Sequence, residues 1–221
     1  MPNKNIRALV GKPLFLWSTE HATNSLAVDT VAVTSDSPEI LSLAKEAGVI
    51  PILRPAELAT DEARLEPALE HVLATLCITE GYMVVLPPTS PIRTPQDVTN
   101  AVALLKDFGN DSTFSVVKSH AFLWEASPDG SLSASYDWKN RPNRQKLAPT
   151  FLETGNIYAC GIEGFLREHN RIYGRTAIYN MNYWTQFQID TLEDFILCDL
   201  LLTMKPWESV EAFATNGHKS G

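Results

Sequence analysis

Tyr82-Met83-Val84-Val85-Leu86, followed by Pro87-Pro88-Thr89-Ser90-Pro91-Ile92-Arg93 and then Thr94-Pro95-Gln96-Asp97, is the stretch that decides how this chain folds. The apolar run is the clearest strand signal in the sequence. The prolines behind it cannot continue a sheet ladder or start a helix, so the chain leaves the strand in a rigid loop. Thr94 then offers a side-chain cap, Pro95 a first-turn proline, and Asp97 an acid near the positive end of the helix dipole.

The same strand-then-helix alternation extends in both directions. Upstream, Pro13 opens a helix that Leu14-Phe15-Leu16-Trp17 continues. Thr30-Val31-Ala32-Val33-Thr34 reads as a short buried strand ending in Ser35-Asp36-Ser37. Pro38 starts a second helix with Ser37 as its cap, and Gly48 terminates it. Val49–Leu53 reads as an edge strand because Pro51 has no N–H for a ladder, and a third helix covers roughly Leu65 to Leu76. Downstream, the helix from Thr94 runs to about Phe108, and Phe114–Lys118 is a strand.

From about Ser119 to Glu153 the pattern breaks. Phe122–Glu125 and Leu132–Ser135 flank the turn signal Ser127-Pro128-Asp129-Gly130, which predicts a hairpin. Alternation then resumes with Gly155–Cys160, a helix near Gly164–His169, a strand near Ala177–Asn180 and a capped helix from Thr191. The expected fold is a three-layer, Rossmann-like α/β domain with a mostly parallel sheet over residues 1–204. Residues 119–153 form an inserted arm and 205–221 a polar tail. In such sheets ligands bind beyond the carboxyl ends of the strands. Attention therefore falls on Ser35-Asp36, on Pro87 to Arg93, and on Asp190.

Composition narrows the chemistry. The chain has 221 residues with 18 Lys+Arg against 26 Asp+Glu, a net charge of −8 that disfavours wrapping nucleic acid. No window reaches the roughly 18 apolar residues of a membrane span, and the first residues lack a signal-peptide run. Cys77, Cys160 and Cys198 are too far apart for a disulfide framework or zinc pattern, so a reducing cytoplasm is expected. The five histidines show no metal spacing, which removes histidine-cluster hydrolysis, and Cys77 lacks a partner for thiol catalysis.

Four groups of residues remain as candidates, each with a plainer alternative. Lys4-Asn5 pairs a cation for phosphate with an amide for a base or sugar edge, or is a solvated tail. Lys139, Arg141, Arg144 and Lys146 fall within eight positions, with no acid between Trp138 and Leu152. They suit a carboxylate or phosphate, or form a soluble loop paired to acids elsewhere. Asp36 and Asp190 follow strands, where carboxylates hold Mg²⁺ against substrate phosphates, or they cap the helices that follow. Thr89-Ser90-Pro91-Ile92-Arg93 presents two hydroxyls and a guanidinium, or is an ordinary turn.

In order along the chain, these pieces resemble the acylneuraminate cytidylyltransferases, the CMP-sialic acid synthetase family. Pro2-Asn3-Lys4-Asn5-Ile6 with Gly11-Lys12-Pro13-Leu14 is similar to P-x-K-N-I…G-K-P-L, and Thr34-Ser35-Asp36 to the S/T-D strand ending. Arg54-Pro55-Ala56-Glu57-Leu58-Ala59-Thr60-Asp61 resembles R-P-x-E-L-A-x-D, and Pro88-Thr89-Ser90-Pro91-Ile92-Arg93 resembles P-T-S-P-L-R. Arg144-Gln145, then Gly155-Asn156-Ile157-Tyr158, follow R-Q…(N/T)-G-x-I-Y, and Ile189-Asp190-Thr191-Leu192-Glu193-Asp194 follows I-D-T-x-x-D.

The resemblance implies a nucleotidyltransferase in which the anomeric hydroxyl of a nonulosonic acid attacks the α-phosphate of CTP, giving CMP-sugar and pyrophosphate with Mg²⁺. It implies that Lys4 contacts triphosphate, Asn5 the nucleotide, Arg144 and Tyr158 the acid sugar, and Asp190 the metal. Lys4 and Asp190 are thus the expected catalytic pair. Asp36, Ser90, Arg93, Arg141 and Gln145 are expected beside Asn5, Arg144 and Tyr158 around the substrates. A homodimer is implied, with the arm reaching the partner's active site.

Several positions depart from the pattern. The family begins with a strand and an A-R-x-G-S-K-type loop ahead of P-x-K-N, whereas this sequence starts at Met1-Pro2. The expectation is a chain without that loop, and the competing reading is a dimeric relative that binds nucleotide or sugar without turnover. Gln188 stands where D-I-D-T has its first acid, Pro87 where a glutamine precedes P-T-S-P, and Arg64 where a serine follows Thr60-Asp61. A cytidylyltransferase for the eight-carbon acid sugar of lipopolysaccharide fits less well, because Thr154–Tyr158 and Ile189–Thr191 follow the neuraminate pattern.

Overall fold

A computed structural model describes residues 3–208, so most of the expected tail at 205–221 and the Met1-Pro2 start lie outside the described residues. The chain opens with a hairpin the sequence does not announce, β1 (Ala8–Leu9) and β2 (Lys12–Pro13), turning through Val10 and Gly11 at positive φ. Then follow α1 (Leu14–Thr23), β3 (Ala32–Ser35), α2 (Pro38–Glu46), β4 (Ile50–Leu53), α3 (Leu65–Thr75), β5 (Tyr82–Val85) and α4 (Pro95–Lys106). The second half holds β6 (Ser112–Ser119), β7 (Trp124–Ala126), β8 (Leu132–Ala134), β9 (Thr150–Gly161), α5 (Ile162–Glu168), β10 (Thr176–Asn180) and α6 (Leu192–Met204).

The capping residues read from sequence set the helix starts. Ser37 Oγ accepts from Ile40 N, and Thr94 with Asp97 closes a capping box at α4. Thr191 with Asp194 closes another at α6. Backbone N–H groups of Thr191 and Asp190 bonded to Asp194 hold its carboxyl below the usual carboxylate range.

The sheet is mixed. Its main part has the order β10-β6-β9-β5, with β6 and β10 parallel and β9 antiparallel to both neighbours. Strand β9 is twice as long as the Gly155–Cys160 run that announced it, because Thr150–Glu153 also pair, with Ser119–Val116. The excursion expected at 119–153 is therefore zipped together at both ends, and a bulge between Phe114 and Val116 marks where the register shifts. A second, two-stranded sheet joins β3 to β4 in parallel. Among the described residues β3 pairs only with β4 and β5 only with β9, so the sheet expected to be continuous is divided there.

Alternation along β9 assigns the layers. Ile157 packs with Val98 and Ala101 of α4, whereas Cys160, on the other face, meets Leu69 and Leu73 of α3 and Phe165 of α5. Helices α1 and α2 cover β3 and β4 through Phe15, Ala44 and Ile40, and α6 closes on the first hairpin through Leu9, Phe195 and Cys198. Burial pushes the Cys160 and Cys198 thiols up to about 12, so both are packing groups. The expected hairpin forms as β7–β8 and exposes Leu123, Trp124, Leu132 and Trp138. No helix among the described residues is long and apolar enough to cross a membrane.

Candidate functional site

The loop after β5 is built from beneath. Arg93 is buried and all three of its guanidinium nitrogens donate: Nε to Asn156 Oδ1 at 2.6 Å, Nη1 to Ser18 Oγ at 3.1 Å, and Nη2 to the carbonyls of Pro87 and Ser90. Ser90, 0% exposed, gives its hydroxyl to the Thr154 carbonyl. Both residues are among those expected to touch substrate, and the structure places both beneath the loop. Their polar atoms satisfy buried main-chain carbonyls and side chains, which leaves them to shape the loop from inside. Desolvation lowers the Arg93 pKa to about 9, opposed by Asp97. His21, buried near Arg93 and Lys12, is lowered to about 3, first by burial and then by those cations.

Above this support the amino-terminal turn meets the segment before α6. Ile189 N donates to Thr89 O at 2.7 Å, tying that segment to the proline loop. Lys4 Nζ reaches the Ile189 carbonyl at 3.0 Å and Asp190 Oδ1 at 3.1 Å. The Asp190 side chain is 73% exposed. It takes no part in capping α6, where Thr191 and Asp194 supply the box, so the capping alternative for Asp190 falls away. Asp36 is likewise exposed while Ser37 caps α2, and it faces Arg54 at the end of the smaller sheet. Asn5 is half-buried, and its Oδ1 is buried with no hydrogen-bond partner. Gln188 lies against Gly155, where φ is +59° and an added Cβ would stand 2.8 Å from Gln188 Oε1.

Other expected residues stand elsewhere. Tyr158 is buried on the α3 face, and its hydroxyl donates to Glu153 Oε1 at 2.5 Å. Burial, reinforced by Glu153, pushes its pKa up to about 12. Arg141 lies over the Phe122 ring at 4.2 Å, within an aromatic set in which Phe122 and Trp124 pack edge-on to Tyr136. Arg144, Gln145 and Lys146 make an exposed 3-10 turn. Among the described residues no hydrogen bond or ion pair joins Arg141, Arg144 or Gln145 to Lys4 or Asp190.

The sequence reading passed over Asn156 and Ser18 as supports, and over Glu66 and Arg171 beside Tyr158. Asn156 lay within a quoted motif and carried a signal. Glu66 and Arg171 are isolated in the sequence and carried none.

The arrangement thus sets an exposed carboxylate with an ammonium against it beside the rigid proline loop that follows β5, and the unpartnered Asn5 amide oxygen belongs to the residue next to Lys4. The profile of the family described as Cytidylyltransferase matches residues 1–198. N-acylneuraminate cytidylyltransferase of Streptococcus agalactiae serotype III (strain NEM316) is 28% identical over 201 residues, covering 89% of this chain and 48% of the relative. The protein of the same description from Escherichia coli O18:K1:H7 (strain RS218 / NMEC) is 27% identical, covering 96% and 51%. The chain therefore spans about half the length of these curated relatives. A solved structure of CMP:2-keto-3-deoxy-manno-octonic acid synthetase complexed with CTP shares the fold at 16% identity. Its TM-score is 0.68, with 93% of each chain covered. The 4-diphosphocytidyl-2C-methyl-D-erythritol synthase of Anaerococcus prevotii DSM 20548 superposes with TM-score 0.62 at 12% identity, over 90% of this chain and 91% of that one. The Rossmann-like nucleotidyltransferase fold and a family match running from the first residue to within α6 lead to one assignment: the chain belongs to the cytidylyltransferase family.

Proposed function

We propose that this chain transfers CMP from CTP to the anomeric hydroxyl of a nonulosonic acid, releasing pyrophosphate. The observation that carries the reading is the contact of Lys4 with Asp190 beside the proline loop, with the Asp190 carboxylate exposed and unused by the helix cap. The relatives' descriptions favour an N-acylneuraminate-like acceptor over other sugars.

The residues fit a magnesium ion. Mg²⁺ takes one or two carboxylates and completes its shell with waters and substrate phosphates, and Asp190 offers a hard oxygen in the open. Bound there, the ion neutralises developing negative charge on the phosphates. Lys4 adds a fixed positive charge at the same place, suited to the α-phosphate and the departing pyrophosphate. Asn5 Oδ1 is an acceptor awaiting a donor, suited to the amino group or sugar hydroxyls of the nucleoside. Buried Arg93 keeps the loop from yielding when substrates arrive, and its charge lies under the site without a carboxylate bonded to it. Such transfers depend mainly on positioning and charge stabilisation. The sugar hydroxyl loses its proton to solvent as its oxygen bonds to the α-phosphorus, the bond from that phosphorus to the bridging oxygen breaks, and pyrophosphate carries away the electron pair.

Arg141, Arg144 and Gln145 are assigned to the acid sugar's carboxylate, supplied across a homodimer by the exposed arm. Its aromatic surface, with Trp124 and Trp138 about half exposed, suits a second copy of the chain. The chain works in the cytoplasm in this reading, and residues 1–204 are the catalytic unit. The test is pyrophosphate release with each of four nucleoside triphosphates against a panel of nonulosonic acids and Mg²⁺. Release with CTP alone, and only when an acid sugar is present, is expected. Release without sugar, or none with any acid sugar, overturns the reading.

A further inference from the structure

Helix α6 carries apolar residues around its whole circumference, a pattern suited to a helix enclosed by protein. Only one side of it is enclosed: Phe195, Cys198, Leu201 and Leu202 are buried with Leu9, Leu14 and Ile92. On the opposite side Leu192, Ile196, Leu200 and Met204 recur every four residues, with Leu197 beside them. Residues at that spacing share a helix face. The five side chains therefore form one stripe, and they are between 37% and 73% exposed. Trp207, just past the helix, packs on the enclosed side, so among the described residues the stripe stays open.

The turn of the first hairpin extends this surface. Val10 N donates to Asp199 Oδ1 at 2.8 Å, and Asp199 lies one helical turn from Ile196, so Val10 borders the stripe. Its side chain is 40% exposed and its φ is +47°. That left-handed conformation strains a β-branched residue, whereas Asn or Gly takes it readily. Val10 and Gly11 are the two turn residues between β1 and β2, a place where Asn-Gly is favoured. A strained valine left in solvent there gains a purpose once a partner surface covers it.

Charge at the two ends of the stripe selects the partner. Exposed Glu193 lies in the first turn, and Lys205, 56% exposed, follows the last turn with Glu208 3.5 Å away. A second α6 laid antiparallel about a twofold axis at mid-helix sets Leu192 against Met204 and Ile196 against Leu200. It brings Lys205 of each copy to Glu193 of the other and opposes the two helix dipoles. A parallel pairing would set Glu193 against Glu193.

We propose that the outer face of α6, with Val10 at its border, is a self-association surface on which a second copy of this chain docks antiparallel. It is a different surface from the arm and stands whether or not the chain transfers CMP. Sedimentation equilibrium of the full chain tests it, on the wild type, Leu200→Glu, Val10→Asn, Glu193→Lys, Lys205→Glu and the double charge reversal, each with a thermal melt as control. Leu200→Glu is expected to halve the limiting mass: dimer to monomer if α6 alone pairs, tetramer to dimer if the arm pairs as well. Val10→Asn should weaken association by about tenfold while its melting temperature holds or rises, since asparagine relieves the turn. Each single charge reversal should weaken association, and the double should restore it. A wild-type mass that Leu200→Glu leaves unchanged, or a double reversal no better than the singles, overturns the proposal. So does a wild type that associates through the stripe only after residues 209–221 are removed, because that segment is then the occupant. If Leu200→Glu does not fold, the charge reversals decide.

Discussion

Replacing Arg93 by methionine isolates what the buried guanidinium does. The change keeps an unbranched stem of similar reach and removes every donor. Two acceptors then lose their donor, Asn156 Oδ1 and the Ser90 carbonyl, while the Pro87 carbonyl keeps Ser90 N and Ser18 Oγ as donors. A buried acceptor left unpaired costs about 1–3 kcal/mol, and the low end applies where a hydroxyl can rotate or water can enter. At about 1–2 kcal/mol for each of the two, the loss is about 2–4 kcal/mol, or a fall in Tm of roughly 4–16 °C for a domain of this size. Arg93→Lys keeps the charge but not the planar fork, so about half of that is expected. Urea denaturation followed by tryptophan fluorescence measures the loss, and pyrophosphate release on the folded fraction measures the effect on the loop. A Arg93→Met protein within about 1 kcal/mol of the wild type would refute the idea that this side chain holds the proline loop together.

Three further outcomes are expected. Asp190→Asn should change stability by less than about 1 kcal/mol, because its ion pair is exposed and the α6 cap is made elsewhere; activity should fall by roughly 100-fold and require more Mg²⁺, and equal damage to stability and activity would contradict the metal role. Gly155→Ala should destabilise by at least about 1 kcal/mol, since an L-residue at φ +59° is strained and its Cβ displaces Gln188, which a thermal melt would show. His21 stays neutral in the folded state down to about pH 3, whereas the unfolded chain takes up its proton near the ordinary value of 6.5. Between those limits the unfolded state binds the extra proton, so stability falls as pH is lowered, by up to about 1.4 kcal/mol per unit. Urea midpoints between pH 7 and pH 5 should therefore show a shallower pH slope in His21→Gln, and parallel slopes would refute the assignment.

What the sequence made legible was local. The caps at Ser37, Thr94 and Thr191 announce themselves within four residues, and each forms the expected bond. The strand before the proline loop and the β7–β8 hairpin are equally short-range features. The length of β9 was not legible, because Thr150–Glu153 owe their extended form to pairing with β6 rather than to their own pattern. Burial of Ser90 and Arg93 was hidden for the same reason. Their partners Thr154 and Asn156 lie 64 and 63 residues away, so a hydroxyl and a guanidinium on a turn look solvent-facing until the strands assemble. Lys4 and Asp190 were each visible as motif fragments, but their meeting across 186 residues is a property of the fold. The Glu66–Arg171 pair had neither a local pattern nor a motif to announce it.

The most direct test of CMP transfer at this site is the fate of the sugar's anomeric oxygen. N-acetylneuraminate labelled there with ¹⁸O is incubated with CTP, Mg²⁺ and the protein, and the products are read by ³¹P NMR and mass spectrometry. The expected result is a phosphodiester carrying the label in its bridging oxygen, with unlabelled pyrophosphate in equal amount. A labelled pyrophosphate, a CMP product without the label, or intact CTP after prolonged incubation would contradict it.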